Sequence, residues 1–191
     1  DAGSRLAVRL GRGLRNVHFQ PADVQALPFA EGGFDRVTCR FGLMFFADLG
    51  LALREIRRVL RPGGRASFVT WGPFEQPYFD ATMGVVLRHL PGATLPPAAA
   101  AMFKFGRPGA LTAALQQAGF AEIEEEFRNV PWVWPDSVEE LWQYMQQVTV
   151  PFRPLLDSLP GEQRAQVDNA VHAAVQPYFD GRQVNFSALV V

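Results

Sequence analysis

The order of apolar and polar residues predicts one strand–helix–strand unit near the start of the chain. Residues 34–39 are interpreted as a buried strand, and residues 65–71 as the next strand. Between them, apolar residues recur at helical spacing, which predicts a helix over 49–60 with Asp48 as its N-cap. A Pro-Gly-Gly turn at 62–64 is expected to stop this helix. Such a unit places two parallel strands side by side in an α/β sheet.

The pattern predicts further elements on both sides of this unit. Before it, residues 4–14 are interpreted as the tail of a helix, 17–20 as a short strand and 31–33 as a turn. After it, the predicted helices cover 77–90, 107–118, 136–149, 152–159 and 161–177, and the predicted strands cover 121–129 and 183–191.

The two longest connections between predicted strands suggest a division of the chain. Segments of this length are unusual as simple connections in a compact α/β domain. We therefore predict a partial α/β core, formed by 1–72 and 107–129 with 183–191, and helical insertions at 73–106 and 130–182 that cover it. The insertions are rich in aromatic residues, which could line a substrate pocket under a lid or could be ordinary core.

Composition excludes several classes of function. Among 191 residues, 48% are hydrophobic and 19% are charged, and the net charge is −1, so nucleic acid is not a predicted partner. The one cysteine, Cys39, excludes an internal disulfide. The sequence has no apolar run long enough for a membrane-spanning helix, and a cytoplasmic protein is predicted.

Candidate binding residues follow the predicted strands. Asp23 comes just after the strand at 17–20, at the sheet edge where α/β proteins bind ligands, although a turn aspartate is the alternative. Phe41 and Gly42 follow the next strand and could line a crevice, or pack in the core. Arg40 could pair with a carboxylate or lie in solvent at the end of the strand.

Other polar groups point to no catalytic site. The acidic run from Glu122 to Glu126 is interpreted as a solvated strand edge, not as a metal site. The three histidines are far apart, with no zinc or triad spacing. Gly11-Arg12-Gly13 precedes a predicted strand instead of following one, so it does not match a dinucleotide-binding loop.

Three motifs in order resemble a known family. They are Val17-His18-Phe19-Gln20-Pro21-Ala22-Asp23-Val24-Gln25-Ala26-Leu27-Pro28-Phe29, then Phe34-Asp35, then Arg58-Val59-Leu60-Arg61-Pro62-Gly63-Gly64. Together they resemble class I S-adenosylmethionine-dependent methyltransferases of the type 11 group, over about residues 5–72. Phe41-Gly42-Leu43 also resembles a segment of the ubiquinone and menaquinone C-methyltransferases. Met44 and Phe45 depart from that segment, which puts a quinone precursor as substrate in doubt.

The resemblance implies a Rossmann-like methyltransferase fold with S-adenosylmethionine as cofactor. It implies that Asp23 contacts the adenine amine and that Val24 lies near the ring. It also implies that Cys39, Arg40 and Phe41 flank the methionine part. It names no general base, because methyl transfer depends mainly on proximity and alignment of the reactants.

The family's glycine-rich loop and ribose-binding acidic residue would both precede residue 5. Asp1 is one residue out of step with that acidic position. We therefore expect this chain to be a fragment in which the N-terminal strands of the sheet are missing. The predicted function is methyl transfer to a small, partly apolar molecule. The alternatives are a non-catalytic remnant that acts as an interaction module, with a second copy at its sheet edge, and an α/β enzyme of another class such as a dehydrogenase.

Overall fold

The computed structural model describes residues 18–191, which contain four strands and a series of mostly short helices. The strands are β1 (Phe34–Arg40), β2 (Leu60–Val69), β3 (Arg128–Trp134) and β4 (Val184–Val190). The helices are α1 (Leu49–Val59), α2 (Pro77–Asp80), α3 (Met83–Arg88), α4 (Pro97–Met102), α5 (Ala110–Gln117), α6 (Val138–Val148), α7 (Arg153–Asp157) and α8 (Gly161–Val175). The helix tail predicted over 4–14 lies outside the described residues.

The strands form two pairs that meet at the end of β2. β1 and β2 are parallel, as predicted, and β3 and β4 are antiparallel. Beyond β2, the Thr70 amide donates to the Val191 carbonyl at 2.9 Å, and the Val191 amide donates to the Thr70 carbonyl at 3.0 Å. β4 therefore runs antiparallel beside the exit of β2, which gives the spatial order β1-β2-β4-β3.

The first predicted unit is confirmed with one shift at its centre. Asp48 caps α1, and its carboxylate accepts a hydrogen bond from the Leu51 amide at 2.8 Å. The helix ends at Val59, before the Pro-Gly-Gly turn, because Leu60 already has extended backbone and pairs with Phe34 in the sheet. The predicted strand at 65–71 is thus the second part of a longer strand with a bulge.

Two strand predictions on this side were wrong. Residues 18–20 form no strand, and Phe19 is 54% exposed, since within residues 18–191 no other strand lies beside them to complete a hydrogen-bonded ladder. β1 is not buried: Arg36 and Arg40 are exposed, and Val37 is only half-buried. In the described part of the chain β1 has a neighbouring strand on one edge alone, so its faces are thinly covered.

Two further predicted elements have different bounds in the structure. The helix predicted over 77–90 is divided into α2 and α3, and at the break the Thr82 hydroxyl donates to the Tyr78 carbonyl at 2.7 Å. The strand predicted over 121–129 forms instead as β3, from Arg128 onward. The acidic run is not a strand edge, because the Glu125 carboxylate accepts from the Gly109 amide at 2.6 Å and the Thr112 amide at 3.2 Å at the start of α5.

Buried apolar residues form two clusters. The larger one lies among β4 and the helices α2–α4 and α6–α8, and the smaller one joins α1, α5 and the inner positions of the parallel strands. The remaining predicted helices and the last strand are confirmed with small changes of bounds; in α6 the predicted core residues Leu141, Trp142 and Met145 are buried. The predicted division into core and cover stays a prediction. None of the helices in residues 18–191 is long and apolar enough to cross a membrane.

Candidate functional site

The loop that carries Asp23 is tied to the start of α1. One carboxylate oxygen, Oδ1, accepts from the Gln25 amide at 2.9 Å and from the Gln25 side chain at 3.4 Å. The Gln25 side-chain oxygen in turn accepts from the Asp48 amide at 2.7 Å. The other oxygen of Asp23 has no hydrogen-bond partner among the described residues, and the side chain is exposed. The turn aspartate and the ligand-binding aspartate are therefore compatible interpretations of the same residue.

The rest of this loop is fixed by an ion pair on α1. Glu55 accepts from the Leu27 amide at 2.9 Å, and Arg58 donates to the carbonyls of Phe29 at 2.9 Å and Leu27 at 3.0 Å. The Arg58 Nε atom lies 2.7 Å from Glu55 Oε1. The hydrogen bond from Arg58 holds the pKa of Glu55 below its ordinary value. The loop that presents Asp23 is thus held by side chains of a regular helix.

The end of β1 has a strained backbone. Phe41 has φ +55, a value that side chains other than glycine rarely adopt, and its amide donates to the Val69 carbonyl of β2 at 2.7 Å. At Gly42, a Cβ atom would lie 2.6 Å from the sulfur of Cys39, so only glycine fits there without movement. Strain of this kind is common where a chain turns at a binding site.

The structure brings the predicted residues together in part. Val24 and Cys39 are half-buried, and both pack against the smaller cluster beside Phe46. Phe41 turns instead to the larger cluster, where its ring stacks on Trp71 with centroids 4.6 Å apart. Arg40 is exposed and makes no salt bridge with the described carboxylates, so the solvent-exposed interpretation holds for it in this structure.

A second group of aromatic residues extends from Trp71 into the cover. Tyr78 lies with its ring centroid 6.3 Å from Trp71 and 4.2 Å from Trp132 of β3. Trp134 packs on Tyr144 at 4.7 Å. The sequence analysis did not predict a role for Tyr144. The apolar pattern of α6 identifies its buried residues, and it does not indicate that the exposed Tyr144 contacts a residue of β3.

Not every aromatic residue of the cover belongs to this group. Trp142 is 2% exposed, and its indole nitrogen donates to the Asp168 carboxylate at 2.7 Å. It is therefore a core residue that links α6 to α8, as the plain packing interpretation predicts.

The loop that carries Asp23 and Val24 fits the adenine side of the implied cofactor. An adenine ring offers an exocyclic amine as a donor, and Asp23 has a free carboxylate oxygen to accept it. Val24 provides half-buried apolar surface of the kind that a flat ring needs, whereas Cys39, which is also half-buried, is predicted to flank the methionine part. These roles stay predictions.

No other feature of the described residues competes for this assignment. A cavity of about 110 Å³ lies between α1 and α5, lined by Leu53, Arg54, Gln117 and neighbouring residues, and none of the predicted cofactor residues lines it. In residues 18–191 no group of three or more histidine, cysteine, aspartate or glutamate side chains is placed to hold a metal ion.

Comparison with known proteins supports the motif reading. Residues 4–68 match the family model described as a methyltransferase domain. Over this segment the chain is similar to methyltransferase domains. The demethylmenaquinone methyltransferase of Thermus thermophilus is 52% identical over 62 residues, which are 32% of this chain and 28% of that protein. The nocamycin O-methyltransferase of Saccharothrix syringae is 30% identical over 158 residues, 71% of this chain and 56% of that protein.

A solved structure supports the predicted fold of this chain. A candidate methyltransferase of Bacillus halodurans C-125 superposes with a TM-score of 0.53 at 22% identity, over 96% of this chain and 73% of that one. The fold is therefore the Rossmann-like methyltransferase fold in part, as predicted. This chain spans between 20% and 56% of the length of the first curated relatives that it matches.

Proposed function

We propose that this chain is part of an enzyme that transfers the methyl group of S-adenosylmethionine to a small-molecule acceptor. The observation that carries the proposal is the free carboxylate oxygen of Asp23 beside half-buried Val24, within the segment that matches the family. The bound cofactor would supply an electrophilic methyl group. The relatives methylate different acceptors by name, a demethylmenaquinone in one and nocamycin in another, so the acceptor is not carried over from them.

The chain's own residues would bind and orient the reactants. Asp23 would accept a hydrogen bond from the adenine amine and Val24 would lie near the ring, while Cys39 would flank the methionine part. Phe41, held by its amide on β2 and by its stacking on Trp71, would form the border between the cofactor and the acceptor. Arg40, which has no carboxylate partner in the described structure, would face the methionine carboxylate. Fixed positions of this kind supply the alignment that methyl transfer needs.

The binding step can be tested with S-adenosylhomocysteine in titration calorimetry. The chain and the product of the full gene are both titrated, because the curated relatives are longer than this chain. We expect Asp23→Asn to weaken binding about tenfold, equivalent to about 1.4 kcal/mol. Aspartate has two oxygens that accept hydrogen bonds, whereas asparagine has one oxygen that accepts and one NH2 group that donates. Asp35→Asn is the matched control, an exposed aspartate whose partner is Arg61.

Equal binding by the wild type and both variants would refute the role of Asp23. Absence of binding by both the chain and the full gene product would refute methyl transfer and favour the second candidate, an interaction module. That candidate is supported by the edge of β1, which within residues 18–191 pairs with β2 alone. It predicts a homodimer, which sedimentation of the chain at several concentrations would detect. A cytoplasmic location stays a prediction from the sequence.

A further inference from the structure

One face of β3 carries two tryptophans, each of which is covered by a tyrosine. Trp132 and Trp134 are two residues apart, so their side chains lie on the same face of the strand. Tyr78, from α2, packs on Trp132 at 4.2 Å, and Tyr144, from α6, packs on Trp134 at 4.7 Å. We call these four residues the tyrosine–tryptophan cluster. Three separate elements converge to form it.

The cluster contains a buried hydrogen-bond donor without an acceptor. The indole nitrogen of Trp134 is shielded from solvent and has no partner among the described residues. Leaving such a group unpaired is unfavourable, because it has lost its hydrogen bonds to water and gained none in the protein. Trp142 shows the ordinary arrangement in the same cover, with its nitrogen bonded to Asp168 at 2.7 Å. The Trp134 nitrogen is thus a donor that a bound oxygen atom could satisfy.

The two tyrosines of the cluster carry hydroxyl groups that can also donate hydrogen bonds. Tyr144 is 45% exposed and Tyr78 is half-buried, so both rings can be reached from solvent. Burial raises the pKa of Tyr78 and the nearby Tyr144 hydroxyl adds to the effect, which keeps the Tyr78 hydroxyl protonated at neutral pH. The surroundings are otherwise aromatic, with Phe186 at 5.7 Å and Phe79 at 4.7 Å from the Tyr78 ring.

The cluster is also connected to the end of the parallel strands. The ring centroid of Tyr78 lies 6.3 Å from that of Trp71, and Trp71 stacks on Phe41 with centroids 4.6 Å apart. Phe41 follows β1 at the edge where the cofactor is predicted. A molecule held by the cluster would therefore approach that edge along an aromatic surface.

We propose that the tyrosine–tryptophan cluster binds the methyl acceptor, and that the acceptor is a flat conjugated molecule with a carbonyl or similar oxygen. Its rings pack on the aromatic side chains, and its oxygen accepts a hydrogen bond from the Trp134 nitrogen. The inference rests on the proposed function, because it assigns the chemical class of the acceptor. The donors select for oxygen, since a hydrocarbon of the same shape leaves them unpaired.

A matched pair of probes tests this selection. 2-Acetylnaphthalene carries an acceptor oxygen, and 2-ethylnaphthalene has nearly the same shape without one. Both are measured by equilibrium dialysis at concentrations below their solubility. We expect the wild type to bind the ketone about tenfold more tightly than the hydrocarbon, a difference of about 1.4 kcal/mol.

The variants locate the selection in the cluster. Trp134→Phe keeps an aromatic ring but removes the donor, so it should reduce the preference for the ketone to about twofold or less. Tyr144→Phe should reduce it in part. Tyr178→Phe is the control, because Tyr178 packs on Phe186 at 4.3 Å but lies outside the cluster. It should keep the full preference. Circular dichroism establishes that each variant is folded.

Three results would overturn the inference: equal binding of both probes by the wild type, no binding of either, or an unchanged preference in both Trp134→Phe and Tyr144→Phe. Calorimetry with S-adenosylhomocysteine, on these samples and on the product of the full gene, distinguishes a failure of this inference from a failure of the proposed function. Cofactor binding without probe selection would refute the cluster alone. Probe selection without cofactor binding by either the chain or the product of the full gene would support the oxygen-selective site and refute methyl transfer.

Discussion

The parallel half of the molecule and its helical cover differ in how they are stabilised. The parallel half consists of β1, α1 and β2, and it shares a cluster of 9 buried apolar residues with α5 and the end of the chain. The helices α2–α4 and α6–α8 of the predicted cover pack with β4, which was predicted to be part of the core, in a cluster of 21. Both counts refer to residues 18–191. The larger cluster therefore contains most of the clustered buried apolar residues, and burial of apolar surface is the main favourable contribution to folding.

The family motifs lie in the region with the smaller core. The matched segment ends at residue 68, at the end of β2, whereas the large cluster consists almost entirely of later residues. In the parallel half, positions are fixed by specific polar contacts, such as the ion pair of Glu55 and Arg58, and by a close approach at Gly42. The residues predicted to bind the cofactor and most of the clustered buried apolar residues thus lie in different parts of the chain.

The largest expected effect comes from the cover. Phe79 is 2% exposed and lies 4.8 Å from the ring of Phe103 and 6.3 Å from that of Phe152. Phe79→Ala should lower the free energy of unfolding by about 3–5 kcal/mol, because it removes a large buried side chain and leaves a cavity. Urea denaturation measures the change. Val37→Ala, at a half-buried position on β1, should cost about 1 kcal/mol or less.

Equal losses in these two variants would contradict the comparison. They would mean that β1 is covered in solution by more than its described neighbours, for example by a second copy. Repeating the measurement at several protein concentrations distinguishes that explanation, since the stability of a dimer rises with concentration.

The next effect tests the close approach in the parallel half. In Gly42→Ala, the new Cβ would lie 2.6 Å from the sulfur of Cys39, and we expect a loss of about 1–3 kcal/mol from overpacking. Backbone strain is not the cause, since Gly42 has φ −105. Replacing Cys39 by glycine in the same chain should recover much of the loss relative to Cys39→Gly alone. A double-mutant cycle measured by urea denaturation checks this coupling, and additive losses would refute it.

The sequence predicted the helices and the parallel strand pair because those elements depend on local signals. The helical spacing of Leu53 and Ile56 and the capping position of Asp48 act within α1 and do not depend on the rest of the fold. The confirmed fold class follows from the order of such elements, and the family motifs made it specific.

The errors occurred where a distant residue decides the local structure. The run that contains Glu125 was interpreted as a strand, yet its carboxylate binds amides of α5 more than ten positions earlier in the chain. The exposure of β1 depends on which strands lie beside it, which a local pattern does not contain. The candidate site shows the same limit: Asp23 could be named from its position, but the pairing of Trp134 with Tyr144 required the fold.

A smaller effect compares the helix caps of the two regions. Asp48 caps α1 by accepting from Leu51 at 2.8 Å, and Ser137 caps α6 by accepting from Glu140 at 3.2 Å. Each replacement by alanine should cost about 0.5–2 kcal/mol. We expect Asp48→Ala to be the more costly, because the Asp48 cap is a carboxylate and its hydrogen bond is shorter than that of the Ser137 hydroxyl. Urea midpoints measure both, and a larger loss for Ser137→Ala would contradict this ranking.

The smallest effect concerns acid titration of one carboxylate in each region. The pKa of Glu55 is lowered by its hydrogen bond from Arg58, and the pKa of Asp180 is lowered by hydrogen bonds from the amides of Arg182 and Gln183. A lowered folded-state pKa means that each group adds stability above its unfolded pKa, and that this stability is lost as pH falls through the folded pKa. Both contributions should therefore persist at neutral pH and disappear only in acid.

Amide chemical shifts report each titration separately. The Leu27 amide, which is bonded to Glu55, should shift with a midpoint below 4.5, and the Arg182 amide, which is bonded to Asp180, with a midpoint below 3.8. Glu55→Gln should abolish the first shift and leave the second, and Asp180→Asn should do the reverse. A Leu27 midpoint at or above 4.5 would show that the ion pair does not hold the Asp23 loop in solution. The polar contacts of the parallel half would then contribute less to its stability than the structure indicates.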